Sequence, residues 1–162
     1  MRHTISVLVE NRFGVLSRVS GLFSGRGYNI ESISVGETID SAISLMTIVT
    51  SGDDQIIEQI TKQLNKLIDV IKVVDLVDVE HVEREMVLIK AAPKKGDKTE
   101  FLKLAEIFRA RVIDSGASTF TVEITGDEKK IAAFIELIKP FGIKEFARTG
   151  KVGMAREGLK NT

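Results

Sequence analysis

The order strand, helix, strand, strand, helix, strand occurs twice along the 162 residues and predicts an α+β chain of two tandem domains. Two kinds of apolar pattern carry this prediction. Some runs alternate apolar with polar residues, as half-buried strands do. Others place apolar residues three and four apart, as a helix with one buried face does. A third observation is the punctuation, since glycine- and acid-rich breaks separate the runs.

In the first half, Ile5, Val7 and Val9 alternate with Thr4 and Ser6, which is a strand ending near Glu10. From Gly14 a helix places Val15, Leu16, Val19, Leu22 and Phe23 on one stripe, and "GRG" at 25–27 stops it, with Gly27 suited to a left-handed cap. "YNIESISVG" is the second strand. Its apolar parity switches between Ile30 and Ile33, which predicts a bulge near Glu31 and Ser32. "SAISLMTIVT" is the third strand, and "SGDD" caps a helix expected to bury Ile56, Ile57, Ile60, Leu64, Leu67 and Ile68. "VIKVVDLVDV" closes the unit as a fourth strand.

The second half repeats this grammar. "EMVLIKAAP" is a strand, followed by a helix with Phe101, Leu104, Ala105 and Phe108 on its stripe. "RVIDSG" and "STFTVEITG" flank a turn, a helix buries Ile131, Phe134, Ile135 and Ile138, and "IKEFAR" ends the set. This is the βαββαβ order of ferredoxin-like domains, with the join near "EHVERE", so that the domains run 1–79 and 80–162. The glycine-rich end "TGKVGMAREGLKNT" falls in the second domain, is expected to be mobile at its terminus, and reads as a solvated tail or a subunit contact.

Composition removes several functions. Lys plus Arg and Asp plus Glu are 23 each, so no net positive field draws in nucleic acid or an anionic membrane. The ferredoxin-like order also occurs in RNA-binding domains, but those stack bases on strand aromatics, and "ISVLV" and "SLMTIVT" carry none. No cysteine is present, which removes disulfides and thiolate chemistry. No apolar run reaches the ~18 residues of a membrane span, and the N-terminal run is too short for a signal peptide. The expected location is the cytoplasm.

No catalytic or metal-binding constellation is evident. His3 and His81 lack metal spacing with a carboxylate, and Asp53 and Asp54 stand where a helix start wants acids. Glycines 21, 25 and 27 lie at the wrong end of a helix for a phosphate loop, and close packing plus a cap accounts for them.

The stretch "ENRFGVLSRVSGLFSGRGYNIES" is different. A glycine at a strand-to-helix turn admits another group to the backbone, and the first helical turn offers unpaired N–H groups that suit a carboxylate. Asn11 and Asn29 add neutral amides, and Val15, Leu16 and Ile30 are apolar. Together they suit a zwitterion with an aliphatic side chain. On the residues alone, a tight turn without a ligand is the simpler account.

"SVLVENRFGVLSRVSGLFSGRGYNIESISV" closely resembles the N-terminal ACT domain of the small, regulatory subunit family of acetolactate synthase. The resemblance continues through "TKQLNKLIDVIKVVDL", "HVEREMVLIK", "AEIFRARVID" and "FARTGKVGMAREG", so it spans nearly the whole chain. It implies a chain with no catalytic residues and no cofactor of its own. The implied partner is a large catalytic subunit carrying thiamine diphosphate, magnesium and FAD, which this chain activates and makes sensitive to valine. It also implies a homodimer through the ACT domains. Asn11, Gly14, Val15 and Leu16 would hold valine from one chain, with Asn29 and Ile30 from the other. Arg12 and Phe13 occupy turn positions that vary in the family. An amino-acid sensor of the same domain type acting on another enzyme, or in a transcription complex, is the alternative.

Overall fold

The computed structural model describes residues 1–157 and divides into two compact units. One comprises Met1–Val82 together with the segment from Gly150 on, the other Glu83–Thr149. The first unit contains β1 (Arg2–Glu10), α1 (Val15–Gly25), β2 (Ile30–Glu37), β3 (Ile43–Ser51), α2 (Asp54–Asn65) and β4 (Val70–Asp75), followed by a short 3-10 turn at Leu76–Asp78. Its sheet has the order β2-β3-β1-β4, and every neighbouring pair is antiparallel. Ile5, Val7 and Val9 face Met46 and Ile48 across the β1–β3 register. That face packs against Val15, Val19 and Phe23 of α1 and Ile57, Ile60 and Leu64 of α2.

The second unit takes β5 (His81–Ala91) from Glu83 on, then α3 (Lys98–Ile107), β6 (Arg111–Ser115), β7 (Phe120–Gly126), α4 (Glu128–Ile138) and β8 (Ile143–Arg148), with strand order β6-β7-β5-β8. Val87, Ile89, Val122 and Ile124 form its core with Phe101, Ala105, Ile131, Phe134 and Ile138. The predicted α+β class and the tandem ferredoxin-like order are therefore both present.

Local signals account for several joints. Gly27 has φ +71, its N–H donates to Ser24 O at 3.2 Å, and Tyr28 N–H reaches Phe23 O at 2.9 Å. This is the paired bonding of a Schellman cap, and its apolar contact is the edge-on Phe23–Tyr28 pair. Asp53 Oδ1 accepts from Ile56 N–H at 2.9 Å and Asp54 lies in the first turn, so the acidic pair caps α2 as expected. The β2–β3 register shifts between Ile30 and Ser32, the bulge that the parity switch predicted.

Four expectations are corrected. Ile68 is 93% exposed because α2 stops at Asn65 and the residues beyond leave the helical period. Leu16 is 48% exposed, off the buried stripe of α1. A Cβ at Gly21 or Gly25 would meet nothing within 4 Å, so close packing does not require those two glycines; only Gly27 has a conformational reason. Finally, the tail returns to the first unit instead of extending the second.

That return is a built contact. A Cβ at Gly150 would stand 2.7 Å from Ile33 O, so this residue lies directly on the Ile33–Ser34 peptide of β2. Lys151 is only 8% exposed, which excludes a solvated tail at that point. The following strand β9 (Val152–Ala155) lies against β1 and the turn at Leu76–Asp78, and Arg156 N–H donates to Glu80 O at 2.8 Å. The expected mobile end falls at 158–162, outside the described residues.

Glu31, at the β2 bulge, meets one hydroxyl donor and two positive charges. Ser51 Oγ donates to its Oε1 at 2.6 Å, Arg2 Nε lies 2.7 Å from Oε2, and Lys151 adds positive field. The serine hydrogen bond is the largest effect; with the arginine and lysine charges it outweighs the opposing push from burial and holds the Glu31 carboxyl below the usual glutamate range. A lowered native pKa means that the ionised form is favoured by folding. Its stabilisation is complete above the unfolded pKa and is lost as pH falls through the native value. Thermal melts from pH 7 to pH 3 should show Glu31→Gln losing less stability on acidification than the wild type. An unchanged acid limb would refute this.

Candidate functional site

The turn after β1 is fixed by main-chain bonds. Glu10 N–H donates to Asp69 O at 2.9 Å, Asn11 N–H to Ala42 O at 2.8 Å and Arg12 N–H to Glu10 O at 3.0 Å. The chain then reaches α1 through Gly14 at φ +83, ψ −3, a left-handed conformation that glycine adopts without the Cβ penalty. As N-cap, Gly14 offers no side-chain acceptor to the first turn, and no acidic residue lies in that turn. The amide groups of the first turn, those of Val15, Leu16 and Ser17, therefore receive neither a side-chain cap nor an acidic neighbour from their own helix. Val15 N–H has only a long 3.4 Å bond to Arg12 O.

Around this turn, Asn11 Nδ2 donates to Ser41 O at 2.9 Å and to Glu37 Oε1 at 3.2 Å, which orients its amide and leaves the oxygen end out of both bonds. Leu16 presents an exposed isobutyl group, and Phe13 is fully exposed. The expected apolar lining needs one correction. Val15 is 3% exposed and belongs to the core, so it offers an N–H group and no pocket wall.

Asn29 and Ile30 are positioned by the Schellman cap and by the start of β2. Asn29 is exposed, its carbonyl accepts from Thr50 Oγ1 at 2.6 Å, and Ile30 is half-buried against the core. The structure does not bring these two residues to Gly14. Asn11 is bonded to Ala42 at the start of β3 and Asn29 to Thr50 near its end. Eight residues of extended chain put the two groups about 25 Å apart, at opposite ends of one strand.

Sequence reasoning missed two side-chain pairs. Arg18, one turn into α1, grips Asp69 through Nε at 2.8 Å and Nη2 at 2.7 Å, and Asp69 is 4% exposed. His3 is buried with Nδ1 2.7 Å from Asp75 Oδ2, so it does have a carboxylate partner. Its Nε2 has no partner. These partners lie 51 and 72 residues away, beyond any local pattern. Among the described residues, no group of three or more potential ligands is placed to hold a metal, and no helix is long and apolar enough to cross a membrane.

Comparison with known proteins covers both halves. Residues 5–72 match the family model of the AHAS small subunit-like ACT domain, and residues 84–157 match that of the small subunit of acetolactate synthase. The acetolactate synthase small subunit of Aquifex aeolicus is 57% identical over 157 residues, 96% of this chain and 82% of that one. A probable acetolactate synthase small subunit of Archaeoglobus fulgidus is 52% identical over 160 residues, 99% of this chain and 100% of its own. The crystal structure of the small subunit from Thermotoga maritima superimposes with a TM-score of 0.89 at 44% identity, covering 98% of this chain and 99% of that one.

Proposed function

Because the chain belongs to the family of acetolactate synthase small subunits, the regulatory and non-catalytic component of that enzyme, we propose that it activates the large catalytic subunit and confers feedback inhibition by valine. Its place is in branched-chain amino acid biosynthesis in the cytoplasm. Thiamine diphosphate, magnesium and FAD reside on the large subunit, and this chain supplies binding surfaces only.

One observation carries the sensing role. An acid-free helix N-terminus on a left-handed glycine lies at the opposite end of β3 from Asn29. A small zwitterion fits the first half by chemistry. Its carboxylate meets the N–H groups of Val15 and Leu16, and its ammonium meets the Asn11 amide oxygen. Its aliphatic side chain lies on Leu16. The second amide and apolar surface, Asn29 and Ile30, come from a second copy of the chain. Side-by-side pairing through β2, which is an edge strand, brings them there.

Two experiments test this reading. Purified chain added to the large subunit should raise acetolactate formation, and valine should then lower it; the chain alone should form none. No change on mixing would refute the activating role. Light scattering at micromolar concentration should report at least a dimer. A strict monomer that still binds one valine per chain would eliminate the shared site.

A further inference from the structure

We propose that Arg18 is the charge-selecting residue of the effector site, with Asp69 as its positioning partner; this rests on the reading of the Gly14 turn given above. A guanidinium has three nitrogens, and here two are committed. Nε and Nη2 both reach Asp69 Oδ2, at 2.8 and 2.7 Å. The carboxylate that holds them is 4% exposed, and the Asp69 carbonyl is itself tied to Glu10 N–H at the end of β1. The guanidinium plane is therefore fixed from the protein side, with Nη1 as the edge left over.

That edge is turned to the turn. A Cβ built on Gly14 would stand 3.0 Å from Nη1, tighter than an ordinary van der Waals contact. Arg18 thus occupies the space a side chain at position 14 would need, and it gives a second reason for glycine besides φ +83. The side chain is 49% exposed, and its Nη1 end lies beside the Gly14 turn. A carboxylate at the first-turn N–H groups of α1 receives from Nη1 a charged donor in a fixed direction. The first-turn N–H groups and the helix dipole favour a carboxylate over a neutral carbonyl, and a guanidinium edge in a fixed direction adds to that preference. Arg18 therefore sharpens the preference of the site for a free α-carboxylate over amides, esters and internal peptide residues.

The experiment uses calorimetry with L-valine and L-valinamide as probes. The full-length proteins are the wild type, Arg18→Gln, the double variant Arg18→Gln/Asp69→Asn, and Gly14→Asp. Wild type should prefer valine over valinamide by roughly ten- to a hundredfold, the scale of one hydrogen bond to a charged group. Arg18→Gln should weaken valine by that factor and leave valinamide unchanged, so that most of the preference is lost and only the part owed to the helix end remains. The double variant replaces the ion pair by two amides, so Asp69 is not left buried and charged, and should behave alike. A structural defect would weaken both probes equally. Wild-type preference retained in a folded double variant, or an equal loss for both probes, overturns the assignment of Arg18. If Gly14→Asp still abolishes valine binding in that case, the site stands and only Arg18 is wrong. If Gly14→Asp binds valine normally, the site itself is refuted.

Discussion

Gly14→Asp should give a subunit that still activates its large partner but resists valine. The substitution puts a carboxylate where the effector's own carboxylate is proposed to lie. Two like charges ~4 Å apart repel by about 1 kcal/mol at water-like screening and by several at lower dielectric. The new side chain also enters the space beside Arg18 Nη1, so it competes for that cation. Together these effects should move the valine inhibition curve by at least about tenfold. The fold should persist. Aspartate visits the left-handed region at a cost of about 1–2 kcal/mol, and an acid at a helix start returns part of it. Acetolactate formation measured against valine concentration for both versions decides the matter, and normal inhibition in the variant would place the effector elsewhere.

Gly150→Ala should loosen the docking of the tail. Gly150 does not have a positive φ, so alanine tests space alone. Its Cβ would lie 2.7 Å from Ile33 O and 3.1 Å from Ser34 N, both backbone atoms that have no rotamer by which to move aside. Overpacking of this kind costs roughly 1–3 kcal/mol, which for a chain of this size lowers Tm by roughly 2–10 °C. Amide exchange should rise from residue 150 to 156, and Lys151 should lose its protection. Gly21→Ala is the control. It adds the same atom to the interior of α1, where nothing lies within 4 Å, and should stabilise by about 0.5–1 kcal/mol. Equal melting of Gly150→Ala and wild type would mean that the tail does not hold to β2.

How far the sequence was legible follows from how local each signal is. The bulge at Glu31 was readable because a parity switch occurs within one strand, and the cap at Gly27 because a helix end has its own chemistry. The end of α2 was misread because Leu67 and Ile68 look like one more turn, and only Ile68 escapes burial. The return of Gly150 had no local signal, since contact with β2 depends on where the chain goes after a complete repeat. The Gly14 turn is a single local element and was visible as such. The grip of Asp69 on Arg18 became visible only once β4 had been placed beside β1.

The placing of Asn11 and Asn29 at opposite ends of β3 has a genetic consequence. In the two-fold pair proposed above, each pocket would take its Gly14 half from one chain and its Asn29 half from the other. Consider a cell carrying two defective alleles, Gly14→Asp and a large substitution at Asn29, each insensitive to valine by itself. Half of the randomly assembled pairs would contain one chain of each kind. In such a pair both lesions fall in the same pocket, and the other pocket is wholly native. The two alleles should therefore complement, restoring part of the valine response that neither supplies alone. Two alleles damaged in the same half should not.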